Sequence, residues 1–105
     1  MAQTFDGAQY PDALRFTTSG TPNNVTEVVI PAQASKASVR FSTNAGKLAF
    51  EGTDGAAVGS HFCDIDADTW AEFGLGDGIN TSKGVGSIFV ASATATTTVT
   101  VLIEG

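Results

Sequence analysis

The strictest pattern in the sequence is an alternation of residue types over residues 96–103. Val99, Val101 and Ile103 take every second position there, and threonine or leucine fills the positions between them. Side chains two residues apart lie on the same face of a β-strand, so the pattern predicts a strand with one buried and one solvated face. Shorter strands are predicted at residues 25–30, 38–42, 47–51, 57–65, 69–73 and 87–91.

No helical stripe of useful length is present in the sequence. Residues 67–73 would suit one helical turn, but Gly74, Gly76 and Gly78 prevent its extension. Residues 74–86 are predicted to be a long connection, and no helix follows them as a phosphate-binding loop would require. A chain of 105 residues builds one core. We therefore expect an all-β fold, a single antiparallel β-sandwich or jelly roll of about seven or eight short strands.

The first part of the chain is the least regular. Residues 1–24 contain scattered glycine and proline and are predicted to be an N-terminal arm or an irregular first strand, with the β-sandwich domain at 25–105. Turn-forming residues at 43–46 predict a hairpin between strands 38–42 and 47–51. The last strand has neither lysine nor proline to protect an exposed edge. We expect it to be central in its sheet or covered by another chain.

The charge distribution argues against two classes of partner. The chain has 11 acidic residues and five basic ones, a formal net charge of −6, and the basic residues are scattered singly. Without a basic stripe we expect no binding to nucleic acid or to membrane surfaces. The first residues lack the charged start and apolar run of a signal peptide, and Cys63 has no partner for a disulfide. We therefore expect synthesis and folding in a cytoplasm.

The densest polar cluster contains three aspartates. Asp64, Asp66 and Asp68 would share one face of a strand, and carboxylate oxygens in that arrangement suit calcium. The EF-hand pattern is not met, because Thr69 stands at its glycine position and Leu75 at its closing glutamate position. Solvated acids on an outward face explain the same spacing. Calcium binding by the three aspartates stays open, with the solvated interpretation preferred.

The adjacent histidine and cysteine are weak candidates for a site. His61 is the only histidine of the chain and Cys63 its only cysteine, whereas a structural zinc site takes four ligands. No third group that would orient them for nucleophilic catalysis is identifiable. A buried Cys63 acting as a small hydrophobe is the preferred interpretation. We expect no enzyme activity, no catalytic or metal-binding residues and no cofactor.

From Val25 onward, the order of these features resembles small bacteriophage virion proteins with β-sandwich domains, among them head decoration and minor head or tail proteins. The stretches that carry the resemblance are VIPA at 29–32, SVRF at 38–41, AFEGTDG at 49–55, IDADTWAEF at 65–73, SIFVAS at 87–92 and VTV at 99–101. The resemblance implies a capsid decoration or cementing protein in the virion. It implies binding to the major capsid protein or other virion subunits, as a homo-oligomer with a trimer favoured.

The alternative is a carbohydrate- or host-receptor-binding β-sandwich at a fibre or tail tip. Trp70, with Phe73, Tyr10 and Phe89, would form its sugar-stacking platform, although aromatic residues on strands are more often part of a core. This alternative requires Trp70 to be exposed beside acids and amides. The decoration function predicts that Trp70 is buried. Measuring the exposure of Trp70 is therefore the simplest way to distinguish the decoration function from the receptor-binding alternative.

Overall fold

The computed structural model describes residues 2–5, 11–31, 34–75 and 86–105 and confirms the all-β prediction. Its described residues contain no helix, hence none that could cross a membrane, and form nine strands. These strands are β1 (Gln3–Thr4), β2 (Asp12–Thr17), β3 (Thr26–Val29), β4 (Lys36–Ser42), β5 (Gly46–Ala49), β6 (Cys63–Ile65), β7 (Trp70–Gly74), β8 (Ser87–Ala91) and β9 (Thr98–Glu104). The predicted connection at 74–86 lies mostly outside the described residues, as does Tyr10.

The strands form two sheets packed face to face as a β-sandwich. The five-stranded sheet has the order β1-β3-β8-β5-β6, and the four-stranded sheet has the order β2-β9-β4-β7. All the pairings are antiparallel except that of β1 with β3, which is parallel. The sandwich is therefore almost wholly antiparallel, as the alternating sequence pattern predicts.

The main core lies between the two sheets. Alternate residues of β4 and β9 point into it from the four-stranded sheet, and residues of β3, β5 and β8 meet them from the other side. The residues of this core that are fully shielded from solvent are Val28, Val39, Phe41, Ile88, Val90, Val99 and Val101. β-branched side chains dominate the set because they pack well on a pleated surface.

The predicted hairpin at 38–51 is wrong, because β4 and β5 belong to different sheets. The chain leaves β4 and crosses the core to enter the other sheet. Thr43 adopts a left-handed backbone conformation (φ 73°) at this crossing. The ring of Phe41 lies so close to Gly46 that a methyl group added there would overlap it. Phe41 thus fills the inside of the bend, and glycine is the residue that leaves room for its ring.

The first long strand and the last strand are direct neighbours. Residues 12–17, within the predicted arm or irregular first strand, form the regular strand β2, which pairs with β9 from Asp12 opposite Ile103 to Thr17 opposite Thr98. On its other side β9 pairs with β4 over seven residues. The last strand is therefore central in its sheet, one of the two arrangements expected for it.

A second, smaller core lies on the outer face of the five-stranded sheet. Residues 50–62, here called the cover segment, lie over Phe89, with Val58 and Phe62 packed against it. Backbone hydrogen bonds attach the segment to the chain before β3: Val25 N–H donates to the carbonyl of Ala56 at 2.8 Å. The cover segment therefore shields the part of this outer face around Phe89, whereas Val29 on β3 is 37 % exposed.

Candidate functional site

The outer face of the four-stranded sheet is a regular surface that the cover segment does not reach. Strand alternation decides which side chains it carries, because the intervening residues point into the core. We call this surface the open face. Its members are Ala13, Arg15, Thr17, Lys36, Ser38, Arg40, Ser42, Trp70, Glu72, Gly74, Thr98, Thr100, Leu102 and Glu104. Except for Ser38, they are exposed or half-exposed.

One row of residues crosses the open face from edge to edge. Arg15 stands opposite Thr100, Thr100 opposite Arg40, and Arg40 opposite Trp70. Neighbouring strands lie about 4.8 Å apart, so the Cα atoms of Arg15 and Trp70 are separated by roughly 14 Å. The row has a cation at one edge and an indole at the other, with the hydroxyl of Thr100 and a second cation, Arg40, between them. Sequence reasoning missed this row, since it placed Arg15 in the arm, although the alternation of Leu14 and Phe16 with polar neighbours was a usable signal.

Arg40 is held in a fixed position on the open face. Its guanidinium donates from Nη2 to Oδ1 of Asp68 at 3.0 Å and from Nη1 to Oγ of Ser42 at 3.1 Å. The same Asp68 oxygen accepts the backbone N–H of Thr43 at 3.0 Å. Asp68 therefore ties the turn before β7 to the end of β4, and its charge is balanced by Arg40.

Lys36 forms a second charge cluster at the end of the open face. Its Nζ lies 2.8 Å from Oε1 of Glu72 and 3.8 Å from Oε2 of Glu104. The hydrogen bond to Glu72 and the negative charges of both glutamates raise the pKa of Lys36. Exposed ion pairs of this kind contribute little to stability. They do, however, neutralise the cation, so the face carries no stripe of unbalanced positive charge.

Trp70 is the main apolar group of the open face. It begins the edge strand β7 and is 47 % exposed, and Leu102 on the central strand is 37 % exposed. An exposed tryptophan combines a large apolar surface with an N–H donor, a combination typical of binding interfaces. The exposure of Trp70 is the outcome that the sequence argument attached to the receptor-binding alternative. The nearby acids Asp68 and Glu72 are both engaged in ion pairs, and no outward residue of the four strands is an amide.

The other aromatic residues do not join Trp70 in one platform. Phe73 points inward from the same strand and packs edge-on against Phe50, with ring centroids 5.0 Å apart and an interplanar angle of 79°. Phe89 lies in the five-stranded sheet beneath the cover segment. Phe50 itself is 50 % exposed. The structure thus offers a single outward indole rather than the aromatic cluster considered from the sequence.

The three aspartates of the acidic cluster are not brought together. Asp64 binds Lys47, with Nζ to Oδ1 at 2.7 Å, while Asp68 binds Arg40. The strand that would align them ends at Ile65, and Asp68 is in a left-handed turn (φ 60°). In the described ranges, no group of three or more His, Cys, Asp or Glu side chains is placed to hold a metal ion. Two of the aspartates serve instead as partners of basic side chains.

His61 and Cys63 also have separate partners. Nε2 of His61 lies 2.9 Å from Oε1 of Glu51, and Sγ of Cys63 donates to the carbonyl of Leu48 at 3.3 Å. Cys63 is exposed, so the prediction that it is buried is wrong. The reason is its position on β6, a three-residue strand at the edge of the five-stranded sheet.

A shallow depression of about 340 Å³ lies beside the cover segment. Val25, Ala56 and Phe62 give it an apolar floor, and Glu51 and His61 stand at its rim. These two polar side chains are bonded to each other. Both are mostly exposed to solvent, so the depression lacks the desolvated, converging polar groups that characterise catalytic pockets.

No known protein-family model, curated protein or solved structure matches this chain.

Proposed function

We propose that this protein is a non-enzymatic structural component of a virion, a capsid decoration or cementing protein that binds the major capsid protein or other virion subunits. Its contact surface is the open face. The observation that carries the proposal is an exposed Trp70, together with Leu102, on a regular sheet surface whose other side chains are mainly small hydroxyl groups and charged groups in equal number. The resemblance of residues 25–105 to small phage virion proteins supplies the class of partner.

The open face carries tryptophan and arginine, two residue types that are enriched at protein interfaces. Tryptophan and arginine dominate the energy of protein interfaces, and surrounding small residues allow close approach and exclude water. Trp70 and Arg15 stand at opposite ends of one row with Thr100 and the immobilised Arg40 between them. A partner that covers this row desolvates one large indole and few unbalanced charges. Burial of the indole is favourable, and Arg40 already has its carboxylate partner, so Arg15 is the one cation of the row for which the partner must supply a counter-charge.

The exposure of Trp70 changes how the decoration function must be formulated. The decoration function predicted a buried Trp70, and this prediction is wrong for the free protein, because Trp70 is 47 % exposed. In the present proposal the indole is buried by a neighbouring virion subunit on assembly. The capsid-bound protein should therefore show a blue-shifted, quencher-resistant tryptophan fluorescence, and the free protein should not. Trp70 is the chain's only tryptophan, so once the emission of undecorated capsids is subtracted the change reports this one indole.

The direct test is the addition of purified protein to capsids that lack it. We expect saturable binding, reduced at least about tenfold by Trp70→Ala or by Leu102→Ala, since interface anchors typically contribute 2 kcal/mol or more. Phe50→Ala is the matched control, because Phe50 is equally exposed but lies outside the open face. Binding that is equally strong for all three variants would refute the proposed surface, and no binding by the unmodified protein would refute the function.

The ionic partners on the open face also support the expected absence of two partner classes. A nucleic acid or an anionic membrane requires several unbalanced cations on one surface. Lys36 and Arg40 are each paired with carboxylates there. We accordingly propose no nucleic-acid or membrane partner, no cofactor and no enzyme activity. The proposed location is the virion, after synthesis in the host cytoplasm.

A second candidate, a carbohydrate- or host-receptor-binding module at a fibre or tail tip, is favoured by the same exposed Trp70. The face of an exposed indole ring can stack on the apolar face of a sugar. The acids beside it are occupied by ion pairs, however, and the open face lacks amides. Titration with host-surface glycans distinguishes the candidates: a saturable change in Trp70 fluorescence, abolished by Trp70→Ala, supports the receptor function, and an unchanged spectrum contradicts it.

A further inference from the structure

The edges of the four-stranded sheet are long, and no described strand pairs with their outer sides. β2 has six residues and β7 has five, and within the described part of the chain each has a ladder partner on one side only. Neither strand contains lysine or proline, the residues that usually keep exposed edges from pairing. The edges of the five-stranded sheet, by contrast, are the short strands β1 and β6, with two and three residues. The longer edges β2 and β7 therefore present backbone N–H and C=O groups with which a further strand could pair.

Strand directions make the two long edges compatible with each other. Every pairing in the order β2-β9-β4-β7 is antiparallel, so β2 and β7 run in opposite directions. A copy of the chain rotated about an axis roughly parallel to the strands keeps all its strand directions. Its β2 can then continue the sheet beyond β7 as another antiparallel neighbour. This is a heterologous contact, which generates a closed ring when the rotation closes.

One register between β2 and β7 matches the side chains on both faces. With Arg15 opposite Glu72, the inward residues Leu14 and Phe16 lie opposite Phe73 and Ala71, and the outward Thr17 lies opposite Trp70. A shift of two residues in one direction places Asp12 opposite Phe73. A shift in the other direction places Glu72 opposite Thr17 and leaves Arg15 opposite Gly74. Cross-strand apolar pairs and opposite charges stabilise antiparallel sheets, so the first register is favoured.

Within one copy, the apolar side chains at both edges are only partly buried, and one charged side chain has no partner in the described part of the chain. Leu14, Phe16 and Phe73 are only partly buried, although they pack against the core. Pairing of the edges would cover them from the side. Arg15 is exposed on the open face, and its guanidinium forms no hydrogen bond or ion pair with another described residue. Glu72, which already contacts Lys36, has acceptor capacity for a second cation.

We propose that copies of this chain assemble into a closed ring through antiparallel pairing of β2 of one copy with β7 of the next, with Arg15 opposite Glu72. The ring extends the four-stranded sheet into one continuous sheet and joins the open faces of all copies. This inference deepens the proposed function, on which its biological role rests, by naming a second copy of the chain as the partner at these edges.

The test is the mass of the purified protein in solution over a range of concentrations, by sedimentation velocity. The unmodified protein should form one discrete oligomer. Arg15→Glu and Glu72→Lys each place like charges at the pairing site, and each should weaken association more than about tenfold. The double variant Arg15→Glu/Glu72→Lys restores opposite charges and should restore the oligomer. Lys47→Glu is the matched control, since it changes the charge by the same amount on the other sheet and should leave the mass unchanged.

The outcomes separate this inference from the proposed function. A monomer at every concentration, oligomers unaffected by either single variant, or a double variant that stays monomeric while its circular dichroism is native would each overturn the ring. Dissociation by Glu72→Lys but not by Arg15→Glu would instead indicate β7 pairing with β7, and it too would overturn the proposal. A monomer that binds capsids would refute the ring but leave the proposed function intact. A ring that does not bind capsids would refute the proposed function but leave the ring intact.

Discussion

The two sheets of this sandwich share a core but differ in their other surface. The five-stranded sheet is covered on its outer face by residues 50–62, which pack on Phe89, and its edge strands are short. The four-stranded sheet leaves Trp70 and Leu102 exposed on its outer face and has long edges. The chain thus covers one sheet around Phe89, although Val29 stays 37 % exposed there, and it places no comparable segment over the described outer face of the other sheet. We expect partners to bind the outer face of the four-stranded sheet, because no described segment of the chain packs on it.

The difference arises from where the chain places its longest described connection. Residues 50–62 link β5 to β6, two neighbours in the five-stranded sheet, and the connection folds back over that sheet. The link from β8 to β9, residues 92–97, crosses to the other sheet instead and covers neither face. A short connection that changes sheets has no residues left to shield an outer surface. The open face is therefore a consequence of connectivity.

The largest expected effect tests whether the two sheets are one cooperative unit. Phe41→Ala removes the largest fully buried side chain, at the crossing between the sheets, and should lower the free energy of unfolding by about 3–5 kcal/mol. Because both sheets pack on this core, hydrogen exchange should accelerate in β3 and β9 alike. Denaturant unfolding and amide exchange provide the measurements. Phe50→Ala, at a half-exposed ring, is the control and should have a much smaller effect, whereas unchanged exchange in β3 would show that the sheets unfold separately.

A smaller effect tests the attachment of the cover segment. Oδ1 of Asp54 accepts the backbone N–H of Glu27 at 2.9 Å, and this bond lowers the pKa of Asp54 below its ordinary value of 3.8. Asp54→Ala should cost about 1 kcal/mol at neutral pH. Faster exchange should be confined to β3 and the cover segment, while β9 stays protected.

The pH dependence of that effect follows from the direction of the shift. A carboxylate whose folded pKa is lowered stabilises the fold above pH 3.8, and the contribution is lost as the pH falls through the folded pKa. The stability difference between the unmodified protein and Asp54→Ala should therefore shrink in acid. Asp54→Asn keeps an acceptor but does not titrate, so it should retain much of the stability and lose this part of the pH dependence. A difference that grows in acid would contradict the assignment.

The smallest effect on stability is expected at the open face. Trp70→Ala removes a half-exposed side chain outside the core, and the free energy of unfolding should change by less than about 1 kcal/mol. The same substitution is expected to reduce capsid binding strongly. Thermal unfolding of the two proteins checks the first statement. A loss of several kcal/mol would mean that Trp70 supports the fold and that its exposure has no special meaning for binding.

Local patterns predicted where strands occur but not which strands are neighbours. The alternation around Val99 and the apolar residues at 87–91 correspond to β9 and β8 because burial of one face is a local property. Residues 43–46 suit a hairpin turn and a crossing between sheets equally well. The packing of Phe41 on Gly46 decides between them, and that contact exists only once both sheets are formed. The hairpin was therefore predicted wrongly from sound turn chemistry.

The candidate site was predictable only in part, for the same reason. The sequence identified Trp70 as the side chain whose exposure distinguishes the two functions. That exposure, however, depends on β7 being an edge strand. The row from Arg15 to Trp70 joins residues of four strands, and its members share no sequence neighbourhood. Cys63 is exposed for an analogous reason, since its short strand has a neighbour on one side only. Edge positions follow from topology, which residue patterns along one chain do not encode.

The central position of β9 sets an order on folding during synthesis. β2, at residues 12–17, has no ladder partner other than residues 98–104 in the described structure. As the chain leaves the ribosome from its amino end, β2 emerges long before its only neighbour, and its edge and apolar side chains stay open meanwhile. Pairings of such long sequence separation form slowly and leave chains prone to association. A nascent chain halted before residue 98 should accordingly be sensitive to proteases and dependent on chaperones, and release of the last strand should close the sandwich.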